Sequence, residues 1–171
     1  MLRRAGIVLW LLFLASCATT GGRPGASPDY QATVAKWTSY QDVADWMRAN
    51  FYYVPRKAKS WQPRAPQETF ASGRGMCQDA SNFARDALNR INPSYRARIV
   101  YIENRLGPPH HWVTAFTADG KLYVMDYGAG ARWSSMMGVH GPYDSLVEYE
   151  RFLSSLRMQG FALSYARETE F

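Results

Sequence analysis

Three residues of this chain could together break an amide bond: Cys77, His111 and Asp126. A thiol is a weak nucleophile until a base takes its proton, and the imidazole that does so needs a carboxylate or amide to hold its ring. Cys77 stands in the stretch Gly73-Arg74-Gly75-Met76-Cys77-Gln78-Asp79. The glycines permit a tight turn and leave room at the sulfur. Behind the cysteine, Ala80, Phe83, Ala84, Ala87, Leu88 and Ile91 recur at the spacing of a helix with one buried face, predicting a helix over Cys77–Ile91. The sulfur then sits at a helix N-terminus, where unpaired N–H groups and the positive dipole end favour a thiolate. A lone cysteine beside an apolar helix is equally well a small buried hydrophobe, and this stretch alone leaves both readings open.

The base must come from His110, His111 or His140. Residues 111–117 and Lys121–Asp126 read as two strands joined by the turn Asp119-Gly120. A two-residue turn pairs 118 with 121, which sets Asp126 opposite Val113 and puts His111 on the same side, within diagonal reach. His110 then points to the other face, and a turn one residue longer would reverse the two. Two adjacent histidines before Trp112 also fit a core-edge pair, and Asp126 also fits a turn former. His140, within Gly138-Val139-His140-Gly141, could serve if residues 127–141 form a glycine-rich loop that folds back. Cys77, His110, His111 and Asp126 match no zinc spacing, so neither a metal nor another cofactor is expected.

The elements around these residues follow from pattern. Ser39 and Asp42 fit a capping box that starts a helix burying Val43, Trp46, Met47 and Phe51. Residues 53–63 read as loop, and Pro66–Ser72 as a short helix closed by Gly73. Residues 96–103 alternate as a strand and 104–109 as a loop. A helix is expected over 145–156, facing inward with Leu146, Tyr149, Phe152, Leu153 and Leu156. A last strand over 161–167 carries Phe161, Leu163 and Tyr165 on one face. The order is α+β, and the length suits one domain.

The start of the chain reads differently. A basic head, Arg3 and Arg4, precedes an apolar run over 5–15, too short to span a bilayer comfortably and of secretory proportions. Leu14-Ala15-Ser16-Cys17 then resembles the bacterial lipobox. We expect residues 1–16 to be a lipoprotein signal peptide, Cys17 to carry lipid, residues 17–35 to form a flexible tether and residues 36–171 to form the domain. Ala18 rather than aspartate after Cys17 points to the outer membrane, facing the periplasm, if the host is Gram-negative. The chain has two cysteines, so a lipidated Cys17 leaves Cys77 without a disulfide partner in an oxidising compartment, which favours the nucleophile. The formal charge is +6, but the basic residues are scattered, so no nucleic-acid partner is inferred.

The cysteine block, with His111-Trp112-Val113-Thr114-Ala115-Phe116 and Tyr123-Val124-Met125-Asp126 after it, resembles the transglutaminase-like cysteine-peptidase superfamily. There, a Gly-x-Cys-x-Asp block opens a helix, a histidine opens a strand and an aspartate ends the next. Trp61-Gln62-Pro63 and Pro66-Gln67-Glu68 are similar to a segment preceding the cysteine in its bacterial periplasmic branch, and the likeness covers about residues 38–130. It implies a papain/transglutaminase-like α+β fold, with N-terminal helices and the Cys77 helix packed on a small antiparallel sheet. It implies Cys77 as nucleophile, His111 as base and Asp126 as its orienter, while an H-x-W-V alignment would choose His110. The oxyanion donors would be the Cys77 N–H with Trp61 or Gln67. Gln78 stands where an acidic residue often follows the cysteine. The expected activity is hydrolysis of amide bonds in envelope proteins or peptides. The competing readings are a transamidase and a non-catalytic lipoprotein that binds a peptide or glycopeptide in the same cleft.

Overall fold

A computed structural model of the chain describes residues 29–55 and 62–171. The expected signal peptide over residues 1–16, Cys17 and Trp61 lie outside the described residues. The expected tether overlaps ordered structure: α1 (Tyr30–Val34) is a helical turn capped by Asp29, and it buries Tyr30 and Val34. The Tyr30 ring packs on Phe70 and Phe83, and Val34 joins the same buried cluster, so the packed domain starts several residues before position 36.

Helix α2 (Tyr40–Asn50) begins where the capping pattern placed it. The Asp42 carboxylate accepts from the N–H groups of Thr38 (2.8 Å) and Ser39 (2.9 Å), satisfying donors that a helix start leaves open. Its buried face carries Val43, Ala44 and Met47. Trp46 stacks on Phe70 with ring centroids 4.8 Å apart. The chain then forms β1 (Tyr52–Tyr53), a two-residue strand that overlaps the expected loop at Tyr53. Helix α3 (Pro66–Ser72) ends at Gly73, whose φ of 59° is the left-handed cap that glycine adopts without strain. Strand β2 (Arg74–Gly75) pairs in parallel with β1 and leads straight into α4 (Cys77–Ile91).

Helix α4 is the central support. It buries Ala80, Phe83, Ala84, Ala87 and Leu88, the stripe that the sequence spacing sets out. It packs on a five-stranded antiparallel sheet made of β3 (Arg98–Asn104), β4 (His111–Ala118), β5 (Lys121–Asp126), β6 (Gly138–Tyr143) and β7 (Leu163–Thr169). The strand order is β6-β5-β4-β3-β7. Helix α4, with α1 to α3, covers the face that carries Phe116 and Met125. The other face carries Val100, Ile102, Val113, Ala115 and Val124, and α5 (Leu146–Ser155) buries Tyr149 and Leu153 against it. This is the α+β fold expected from the order of elements, with the cysteine helix laid on the sheet.

Residues 127–141 are not one long loop. They contain a 3-10 turn (Ala131–Met136) and most of β6, which pairs with β5 through Val124↔His140 and Asp126↔Gly138. Glycines and Pro142 are poor strand formers in a sheet interior, but an edge strand tolerates them, and β6 is an edge. Strands β3 and β7 each start two residues later than expected. Arg96 is left-handed, with a φ of 45°, and closes a 3-10 turn (Pro93–Tyr95) before β3 begins. Before β7, Phe161 is buried as part of the connection, not of the strand.

Candidate active site

The first turn of α4 explains its own sequence. Asp79 is buried and reaches back: its Oδ2 accepts from the Met76 N–H (2.8 Å) and its Oδ1 from the Arg64 N–H (2.7 Å). A Cβ at Gly75 would stand 2.5 Å from the Asp79 Cβ, so glycine two residues before the cysteine leaves space for the aspartate two residues after it. Cys77, between them, is 5% exposed. Its thiol donates to the Gln78 side-chain oxygen at 3.2 Å. A thiolate at this position would instead require Gln78 to turn its NH2 toward the sulfur.

Two short strand ends bring the other residues to Cys77. The turn is the two-residue kind: Ala118 pairs with Lys121 and Thr114 with Met125, and Asp119 and Gly120 both have positive φ. Continued by one step, this register sets Asp126 against Val113, with His111 diagonal to it. His111 Nε2 lies 2.7 Å from Asp126 Oδ2 and donates to it, since a carboxylate only accepts. Both side chains are buried. The other aspartate oxygen accepts from the Gly128 N–H at 2.8 Å, a turn in which the side chain caps its own backbone two residues on. With Nε2 engaged, Nδ1 is the imidazole nitrogen left for the sulfur. Burial opposes charge on His111. The Asp126 charge and hydrogen bond, with smaller contributions from the Cys77 sulfur, outweigh it and raise its pKa to about 10. An imidazolium held between a carboxylate and a sulfur is the arrangement that stabilises a thiolate.

Gly128 joins the parts. A Cβ there would stand 2.6 Å from the Cys77 Cα and 3.1 Å from the Ala80 Cβ. The chain leaving β5 therefore lies directly on the start of α4, and Thr114 ties β4 to the same helix by donating to the Ser81 carbonyl (2.8 Å). Gly128→Ala is expected to push these segments apart and cost about 1–3 kcal/mol, the usual scale of overpacking. It should also slow alkylation of Cys77. A melting curve and a labelling rate both unchanged from wild type would contradict the packing described.

Cys77, His110 and His111 line one cleft of about 240 Å3 with Tyr53, Arg132 and Trp133. His110 is turned away from Asp126: its Nδ1 accepts from the Asn104 N–H (3.3 Å) and its ring lies 5.6 Å from Tyr101. His140 is not in the cleft. Its Nε2 donates to the Met136 carbonyl (2.7 Å) and its ring packs on Phe152, so the fold-back that would have made it the base does not occur. Gln67, expected near the oxyanion, is exposed on α3 and does not line the cleft. Thr69 and Phe70 face the core from that helix, which turns Gln67 to solvent. The sequence reading missed Gly128 and the contact of Gln78 with the sulfur. A glycine two residues after a strand-ending aspartate was the available signal for the first.

A sequence profile described as a transglutaminase-like domain matches residues 29–131, more than half of the chain and a span that contains Cys77, His111 and Asp126. The chain belongs to this family. Among solved structures, EGTA-treated LapG of Legionella pneumophila is similar over 52% of this chain and 50% of that one, with 22% identity and a TM-score of 0.42. The chain thus spans about half the length of that structure. No curated protein matches.

Proposed function

We propose that the protein is an acyl-transfer enzyme that hydrolyses amide bonds, a cysteine peptidase working in the cell envelope. One observation carries the reading: the buried His111–Asp126 pair, whose imidazole also feels the Cys77 sulfur. The thiolate attacks the amide carbonyl and a C–S bond forms. The negative oxygen is met by the Cys77 N–H in the first turn of α4. His111 gives its proton to the nitrogen, the C–N bond breaks and the amine leaves. His111 then takes a proton from water, which attacks the thioester, and the C–S bond breaks to restore Cys77. Asp126 holds the ring in the tautomer that this exchange needs.

An activated ester tests the chemistry without a known substrate. Incubation with a nitrophenyl ester of an acetylated amino acid, followed by acid quench and mass mapping, should find the acyl group on Cys77. That adduct should decay to free acid even when a primary amine is present. Transfer to the amine would make the enzyme a transamidase instead. No adduct on Cys77 would favour the rival reading, a non-catalytic peptide- or glycopeptide-binding module. That reading draws on the low exposure of Cys77 and on its thiol being hydrogen-bonded to Gln78.

The cellular setting belongs to the same proposal. A lipid at Cys17 would tether the domain to the outer membrane, on the motif Leu14-Ala15-Ser16-Cys17 after an apolar run. Mass analysis of the mature N-terminus should find a lipidated Cys17 and no residues 1–16. An unmodified Cys17 would sink the anchor and leave the chemistry standing.

A further inference from the structure

The cleft around Cys77 has one side chain of fixed charge among the described residues that line it, and that is Arg132. Among the described residues no aspartate or glutamate lines the cleft, and Asp126 is buried behind His111 with both oxygens engaged. Arg85, Arg90 and Arg98 each meet a carboxylate within the protein. Arg132 meets none among the described residues, and it is exposed.

Its position is nevertheless built. Arg132 belongs to the 3-10 turn Ala131–Met136, which starts at Gly130. Its guanidinium lies 5.8 Å from the ring of Trp133. Trp133 is itself buried and donates its indole N–H to the Gln159 carbonyl at 3.2 Å. On the far side, a Cβ at Gly160 would stand 2.0 Å from the Arg132 Nη2. The guanidinium thus packs directly against the Gly160 backbone. A cation seated between an aromatic ring and a glycine, with its donors unmatched and the nucleophile in the same cleft, is prepared for an incoming anion. The guanidinium fork suits a carboxylate, which it can grip with two parallel hydrogen bonds.

We propose that Arg132 binds a carboxylate of the substrate, so that the enzyme selects acyl groups or leaving amines with an acidic group close to the scissile bond. The carboxylate comes either from an Asp or Glu side chain or from the free C-terminus of a short peptide. This inference rests on the reading of Cys77 as a nucleophile in a substrate cleft.

Protection of Cys77 from iodoacetamide tests it. Three N-acetylated alanine pentapeptides would compete with the label: one amidated and neutral, one amidated with glutamate at a central position, and one with a free C-terminal carboxylate. For wild type, at least one acidic peptide should half-protect at about a tenfold lower concentration than the neutral one, the scale of one charge-assisted contact. Preference for the glutamate peptide identifies a side chain, and preference for the free C-terminus identifies an α-carboxylate. In Arg132→Gln the preference should vanish, and in Arg132→Lys part of it should remain. No preference in wild type, or a preference intact in Arg132→Gln, overturns the proposal. Failure of iodoacetamide to label Cys77 without any peptide would instead sink the nucleophile reading, and this one with it.

Discussion

Cys77→Ala should keep the fold and lower amide hydrolysis by at least ~10⁴-fold, the scale on which removal of a covalent nucleophile is felt. The fold should survive because the site is held by other groups. Asp79 caps the helix start through the Met76 and Arg64 N–H groups, and Gly128 packs on the backbone of residue 77 as much as on its side chain. The substitution removes one sulfur atom beside Gln78 and His111 and leaves no buried charge alone. Unchanged turnover would remove the covalent mechanism. A collapsed melting temperature with Cys77→Ala would mark the thiol as a packing element.

His111→Ala should lose about 10²–10⁴-fold in kcat/KM, the usual contribution of a general acid–base group, while His110→Ala should lose far less. The register decides between the two. With Ala118 opposite Lys121, His111 shares a face with Asp126, and the 2.7 Å bond between them follows. His110 is engaged with Asn104 and Tyr101. His111→Ala also leaves the Asp126 carboxylate buried with only the Gly128 N–H, and breaking a buried pair in this way typically costs about 3–5 kcal/mol. The comparison is therefore made per folded molecule, with melting curves alongside. Asp126→Asn should fall between them, since the ring keeps a partner but loses the charge that holds its proton. A dead His110→Ala beside an active His111→Ala would contradict the assignment.

Much of this arrangement is legible in the residues. The stripe from Ala80 to Ile91 predicts α4 to its ends, because an apolar period of that length has one solution. Asp119-Gly120 predicts the turn, because few other residues accept positive φ at both central positions, and from the turn follows the pairing of His111 with Asp126. Strand β6 was not legible: its pattern is glycine and proline, and only the free edge of β5 makes it a strand. Helix α1 was hidden by the glycine- and proline-rich residues before it, since its reason to order is the packing of Tyr30 on Phe70 and Phe83. The close approach of Gly128 to Cys77 and the placement of Arg132 against Gly160 are contacts between segments distant in sequence. No local pattern encodes them.

The central claim is a Cys77 thiolate paired with a charged His111, and the rate of Cys77 alkylation by iodoacetamide at pH 6 tests it most directly. A free thiol is only about 0.3% ionised there, taking an ordinary pKa near 8.5. His111, its pKa raised by Asp126 and by the sulfur against the effect of burial, stays protonated at this pH and through neutrality. A thiolate at Cys77 would therefore face a charged imidazolium at pH 6, and that charge is lost as pH rises through the elevated histidine value, when the proton needed by the leaving amine goes. The account predicts alkylation of Cys77 roughly ten- to a hundredfold faster than that of glutathione at pH 6, with the advantage lost in His111→Ala. A rate at or below that of glutathione would contradict it.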